Sequence, residues 1–182
     1  MPLSLRRTAV LAVAALVVGC SGNEAGSAFA VPEGFARSGI SVVPGTTAVV
    51  GLGVLQLVDA DKAARLLSLR VEGEHVDAQA GRVLGVKLYP VLDGGAIGAV
   101  TAADLPAADG SAGWRLSPPA DVVVDGHEVL GVAVVVAATS VGSWASDSLV
   151  VDYLMDGRHR TQRIAIGAAV CVVARAGESC DP

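Results

Sequence analysis

The chain has 182 residues, enough for one domain once a short N-terminal leader is set aside, and its 13 basic and 18 acidic residues leave a formal charge of -5. Removing Arg6 and Arg7 with that leader leaves eleven basic residues against eighteen acidic ones, about -7, which argues against nucleic acid as a partner and against electrostatic docking on anionic lipid. Apolar residues make up 52% but aromatics only 3%, so the core must be built from Val, Leu, Ile and Ala, a composition that favours strands.

The N-terminus carries Arg6-Arg7, an uncharged stretch over 8–18, and Val17-Val18-Gly19-Cys20. This is signal-peptide anatomy. A spanning helix is the alternative, but eleven residues of helix rise only about 16 Å, far short of the roughly 30 Å hydrocarbon core. The last four residues resemble the lipobox of bacterial lipoproteins, and the resemblance covers the leader alone. It implies that residues 1–19 are removed, that Cys20 carries a lipid, and that the mature chain sits on the extracytoplasmic face of a membrane. More than one acyl chain is needed for stable holding. With Cys20 acylated, Cys171 and Cys180 remain as one pair in an oxidising compartment, and a disulfide between them is expected.

Residues 20–44 are rich in Ser, Gly, Ala, Asn, Glu and Pro and are expected to form a flexible tether, with Phe29 and Phe35 as residues that could dock instead. Residues 45–182 are then the domain. Its first strands are expected at 47–58 and 65–72, the second with Leu67, Leu69 and Val71 inward and Ser68, Arg70 and Glu72 outward. A helical turn over 61–67 is the alternative to its start. The span 82–92 places Leu84, Val86 and Leu88 on one face and Gly85, Lys87 and Tyr89 on the other, before the turn Asp93-Gly94-Gly95. A short strand at 96–101 and a long connection over 102–119 follow, as in a Greek key.

Strands at 121–124 and 128–139 flank Asp125-Gly126-His127, and the near-continuous valines of 129–136 predict a central strand buried on both faces. Strands at 148–155 and 158–166 surround Asp156-Gly157, a two-residue hairpin signal, and 168–173 extends the second arm. About seven or eight strands with a long central connection predict an all-β fold: an antiparallel β-sandwich, immunoglobulin-like or a related Greek key.

The residues that could carry chemistry do not assemble a catalytic pattern. His75, His127 and His159 fall at turns or strand ends without a second ligand at metal spacing. Ser143 in Val-Gly-Ser-Trp-Ala lacks the nucleophile elbow, and Gly51-Leu52-Gly53 lies within a strand, where close packing or a bulge accounts for it. Asp121, Asp125, Glu128, Asp147 and Asp152 mostly mark turns. Neither a cofactor nor enzymatic activity is expected. Trp114 and Trp144 are candidates for the core or for a ligand-stacking surface, and Arg158 and Arg160, with His159 and Arg163, form a local basic cluster suited to an acidic partner. The expected function is a membrane-anchored interaction or assembly module with an envelope protein as partner. A small-molecule or envelope-glycan binder is the alternative.

Overall fold

The computed structural model describes residues 27–31, 36–73, 79–91, 97–105 and 116–178. Eleven strand segments run β1 (Ala36–Val42), β2 (Thr47–Leu55), β3 (Ala63–Glu72), β4 (Gly81–Pro90), β5 (Ala99–Thr101), β6 (Val123–Asp125), β7 (Leu130–Ala138), β8 (Gly142–Ser146), β9 (Ser148–Met155), β10 (Arg158–Ile164) and β11 (Ile166–Val172). One 3-10 turn, Ala102–Asp104, follows β5.

The fold is an all-β sandwich. One layer has the order β4-β7-β2-β5. The other is built from β10-β9-β3-β6 and β1-β11-β8, which continue into each other because β8 and β9 are separated by Asp147 alone and β10 and β11 by Ala165 alone. Joined across those residues, the eleven segments become nine arms; setting aside the three-residue β5 and β6 leaves seven long ones. Four of these arms, β1, β3, β8-β9 and β10-β11, lie in one layer and three, β2, β4 and β7, in the other, with β4 and β7 paired and the last two arms forming a hairpin, an immunoglobulin-like arrangement. One pairing departs from the antiparallel expectation: β1 runs parallel to β11, from Ala36 opposite Ile166 to Val42 opposite Val172.

The expected tether ends too late. Residues 36–42 form β1, and Phe29 is fully buried opposite Leu57. Polar and small residues masked this strand because β1 lies at the edge of its sheet and needs only Ile40 and Val42 on its inner side. The segment β8 was also missed, since Gly, Ser and Ala dominate it; pairing with β11 over Val170↔Trp144 and Cys171↔Ser143 makes it a strand.

Asp156 (φ 52°) and Gly157 (φ 72°) both adopt the left-handed conformation that a type I′ hairpin turn requires, and β9 and β10 pair in full register on either side. The central strand is β7: Val132, Val134 and Val136 fill the space between the layers, while Ala133 packs on the opposite face with Val49, Tyr89 and Ile97 in a second small core. By contrast, Asp125-Gly126-His127 joins strands of different layers, because β6 pairs with β3 and β7 with β2 and β4.

Three bulges reset the side-chain phase. In β3 the register shifts between Leu66 and Ser68, so Leu66 is buried and Leu67 only half-buried. The helical alternative there gives way to strand pairing of Ala63 with Asp125. In β4 the shift between Val83 and Gly85 turns Leu84 out to 50% exposure, while Tyr89, on the face opposite Val86 and Leu88 as expected, is 1% exposed because it packs in the second core. In β2 the shift falls between Gly51 and Gly53, where the Gly51 N–H donates to the Gly98 carbonyl at 2.6 Å and the Ile97 carbonyl occupies the place a Cβ would need.

Candidate functional site

The outer face of the β10-β9-β3-β6 sheet carries the most organised polar structure among the described residues. Strand alternation sends Leu69, Val151, Leu149 and Ile164 inward and leaves Ser68, Arg70 and Glu72 of β3, Asp152 of β9, and Thr161 and Arg163 of β10 on the outside. Ser68, Asp152 and Thr161 stand in one cross-strand row.

Asp152 is the centre of this face. Its carboxylate accepts from the Thr161 hydroxyl at 2.6 Å, the Ser68 hydroxyl at 2.8 Å and Arg70 Nη1 at 2.5 Å. Those donors, the Thr161 and Ser68 hydroxyls first and the Arg70 guanidinium after them, hold its pKa below the ordinary carboxylate value against the opposing effect of burial. Glu72 in turn bridges Arg70, whose Nε lies at 3.1 Å, and Arg163. Val150, between Arg70 and Arg163 in register, is only 3% exposed although it points outward.

At the hairpin end of the same sheet the pattern changes. Arg65, Leu154 and His159 form a cross-strand row that sets Arg65 about 10 Å from His159 across two strand spacings, while Arg158 and Arg160 alternate to the other side of β10, opposite Met155 and Tyr153. Arg65, Arg158 and His159 are exposed and Arg160 is half-buried opposite Tyr153. None of the four has a carboxylate partner among the described residues, whereas Arg70 and Arg163 are both paired. Local sequence could not show Arg65 as a member of this cluster, because only the β3–β9 pairing brings it there.

Of the two places open to Trp144, the core and a stacking surface, the structure gives the core. Trp144 is 1% exposed, with its Cβ and Cγ against Gly81, and its Nε1 has no hydrogen-bond partner. It is a core residue because the even-numbered positions of β8 face the interior along with Val170 of β11. Trp114 and His75 lie outside the described residues. Ser143 sits on the regular strand β8 opposite Cys171, away from any turn, and together with Gly39, Ser41, Ala145 and Ala169 it lines a shallow outer groove of about 280 Å³. Cys171 is disulfide-bonded. Cys180 and Cys20 lie outside the described residues.

The remaining acids are dispersed: Asp147 pairs with Arg37 at 2.6 Å, Asp156 with Lys62 at 3.2 Å, and Asp125 closes its own turn by accepting from the His127 N–H at 3.0 Å. No group of three or more His, Cys, Asp or Glu side chains comes together among the described residues.

No family model and no curated protein matches the chain. A solved structure similar to it is the ASH / PapD-like domain of human CEP192 (PapD-like domain 7), with a TM-score of 0.40 and 15% identity over 78% of this chain and 85% of that one.

Proposed function

We propose that the chain is a lipoprotein held on the extracytoplasmic face of a bacterial membrane by a lipid on Cys20, and that its sandwich is a non-enzymatic interaction or assembly module. The observation that carries the interaction reading is a contrast along one sheet: Arg70 and Arg163 are neutralised by Glu72 and Asp152, while at the hairpin end Arg65 and His159 on that face, and Arg158 and Arg160 on the other side of β10, have no carboxylate partner among the described residues. On a chain of net negative charge, such a cluster beside the open edge of β10 suits an acidic surface of an envelope protein. A glycan-stacking reading would need an exposed tryptophan, and Trp144 does not supply one.

The disulfide belongs to the same proposal. Cys171 is bonded, Cys180 lies nine positions further along, and a short closed loop of this kind stabilises by about 2–3 kcal/mol on the chain-entropy view.

A photo-crosslinking residue in place of His159, used in intact cells with the same residue at Val141 as control, tests the surface. One dominant adduct from position 159, lost on Arg158→Glu with Arg160→Glu, is the expected result. The same adducts from both positions, or adducts indifferent to charge reversal, would overturn it. Intact mass tests the rest: Cys20→Ala should abolish the lipid mass, and reduction should add about two daltons.

A further inference from the structure

Phe29 brings the sandwich close to Cys20. Its ring is fully buried against Tyr153 at 5.1 Å between centroids, edge to face, and its backbone is held by Gln162. The nine residues from Cys20 to Phe29 span at most about 32 Å at full extension, against about 85 Å for a tether reaching residue 44.

The segment that begins there is apolar on its outside. Residues 27–31 run antiparallel to the end of β2 and the residues after it, with Phe29 opposite Leu57, the Ala30 N–H on the Gln56 carbonyl and the Val58 N–H on the Ala28 carbonyl, each at 2.9 Å. Val31, Val54 and Val58 on this ribbon are 51%, 40% and 68% exposed, three of the six large hydrophobic side chains left exposed among the described residues. Val31 and Val54 also border a recess of about 310 Å³ with Leu52, Gln56 and Ile166. The charge beside Val58 is net acidic, because Asp59 and Asp61 accompany the Lys62–Asp156 pair, which rules out anionic lipid as the attraction.

We propose that this end of the sandwich is a membrane-docking face, with Val31, Val54 and Val58 seated at the boundary between headgroups and acyl chains. The inference rests on the lipid-anchor reading and adds to it an orientation. The occupant is the bilayer because a lipid on Cys20 holds the patch within about 32 Å of it, where the local concentration of lipid exceeds that of any soluble partner. Burial of valine surface is then the driving force, and anionic lipid is not required.

The test uses the full lipidated chain in phosphatidylcholine vesicles, with an environment-sensitive nitrobenzoxadiazole label on Val58→Cys, on Val54→Cys, or on Val141→Cys. Val141 is 57% exposed and follows β7 at the opposite end of the sandwich, about 26 Å away along the strands. Flotation with vesicles and intact mass establish the anchor first. Labels at 54 and 58 should shift to shorter wavelength and be at least two-fold less quenched by iodide than the label at 141. A chain that floats and carries the lipid mass, yet has all three labels equally quenched, overturns the docking face and leaves the anchor standing. Shielding that persists without vesicles also overturns it, in favour of self-association. A chain that neither floats nor carries lipid overturns the anchor itself.

Discussion

The side-chain amide of Gln162 takes the place of a neighbouring strand for Phe29: its Oε1 accepts the Phe29 N–H at 3.0 Å, and its Nε2 donates to the Phe29 carbonyl at 2.8 Å. The flanking backbone groups of Ala28 and Ala30 bond in the other direction, to Val58 and Gln56. Phe29 is therefore clamped from both sides, and Gln162, 6% exposed, is satisfied by that clamp.

Replacing Gln162 with Leu should leave the buried Phe29 N–H and carbonyl unpaired, at a cost of about 2–5 kcal/mol, and should release residues 27–31 to fast amide exchange. Gln162→Glu gives a sharper outcome. A buried carboxylate facing the Phe29 carbonyl has a raised folded-state pKa, so this variant should be destabilised at neutral pH and recover as pH falls through that value, when the acid can again donate. Denaturant unfolding of the three proteins at two pH values checks both, and an unchanged midpoint in Gln162→Leu would show that the clamp contributes nothing.

The network around Asp152 has the opposite pH signature. A carboxylate whose folded pKa is lowered contributes stability that is complete above the ordinary carboxylate range and is lost as pH falls through the folded value. Asp152→Asn should thus be less stable than the parent at neutral pH, by about 1–2 kcal/mol given three hydrogen bonds to a partly exposed acid, and the difference should close below about pH 5. Thermal melts across this range decide it; a constant difference would assign the effect to shape alone.

Tyr89 and Gly131 form a third test. The Tyr89 ring lies over Gly131 in the space that a Cβ would occupy, and its hydroxyl accepts the Ile97 N–H at 2.8 Å. Gly131→Ala should displace the ring and cost about 1–3 kcal/mol, whereas Tyr89→Phe keeps the packing and orphans one buried N–H, costing about 1 kcal/mol. If Gly131→Ala is the milder of the two, the second core is looser than its burial indicates.

How much of this was readable in the residues depends on the range of the cause. The strand at 148–155 and the Asp156-Gly157 turn are set locally and the structure has both, while the arm expected over 158–166 ends at Ile164 before Ala165 breaks it. The alternation in β3 and β4 failed at Leu67 and Leu84, since a bulge changes phase through its partner strand and leaves no mark in composition. The same holds for β1 and β8, where small and polar residues are strands only because β11 lies between them. Of the candidate surface, Arg158 and Arg160 were visible as neighbours; Arg65 was not, and of the two alternatives for Trp144 only tertiary packing selected the core.

The amino-acid sequence by itself determined the all-β class, the central valine strand and the closing hairpin. These follow from period-two hydrophobicity and the conformational preference of Asp-Gly, both properties of residues and their immediate neighbours. The tertiary structure alone decided where the domain begins, which acids neutralise which arginines, and which valines remain exposed. Those depend on register between strands far apart in the chain, as Phe29 with Gln162 across 133 positions and Arg70 with Asp152 across 82 show, and register is chosen by the burial of the whole core at once.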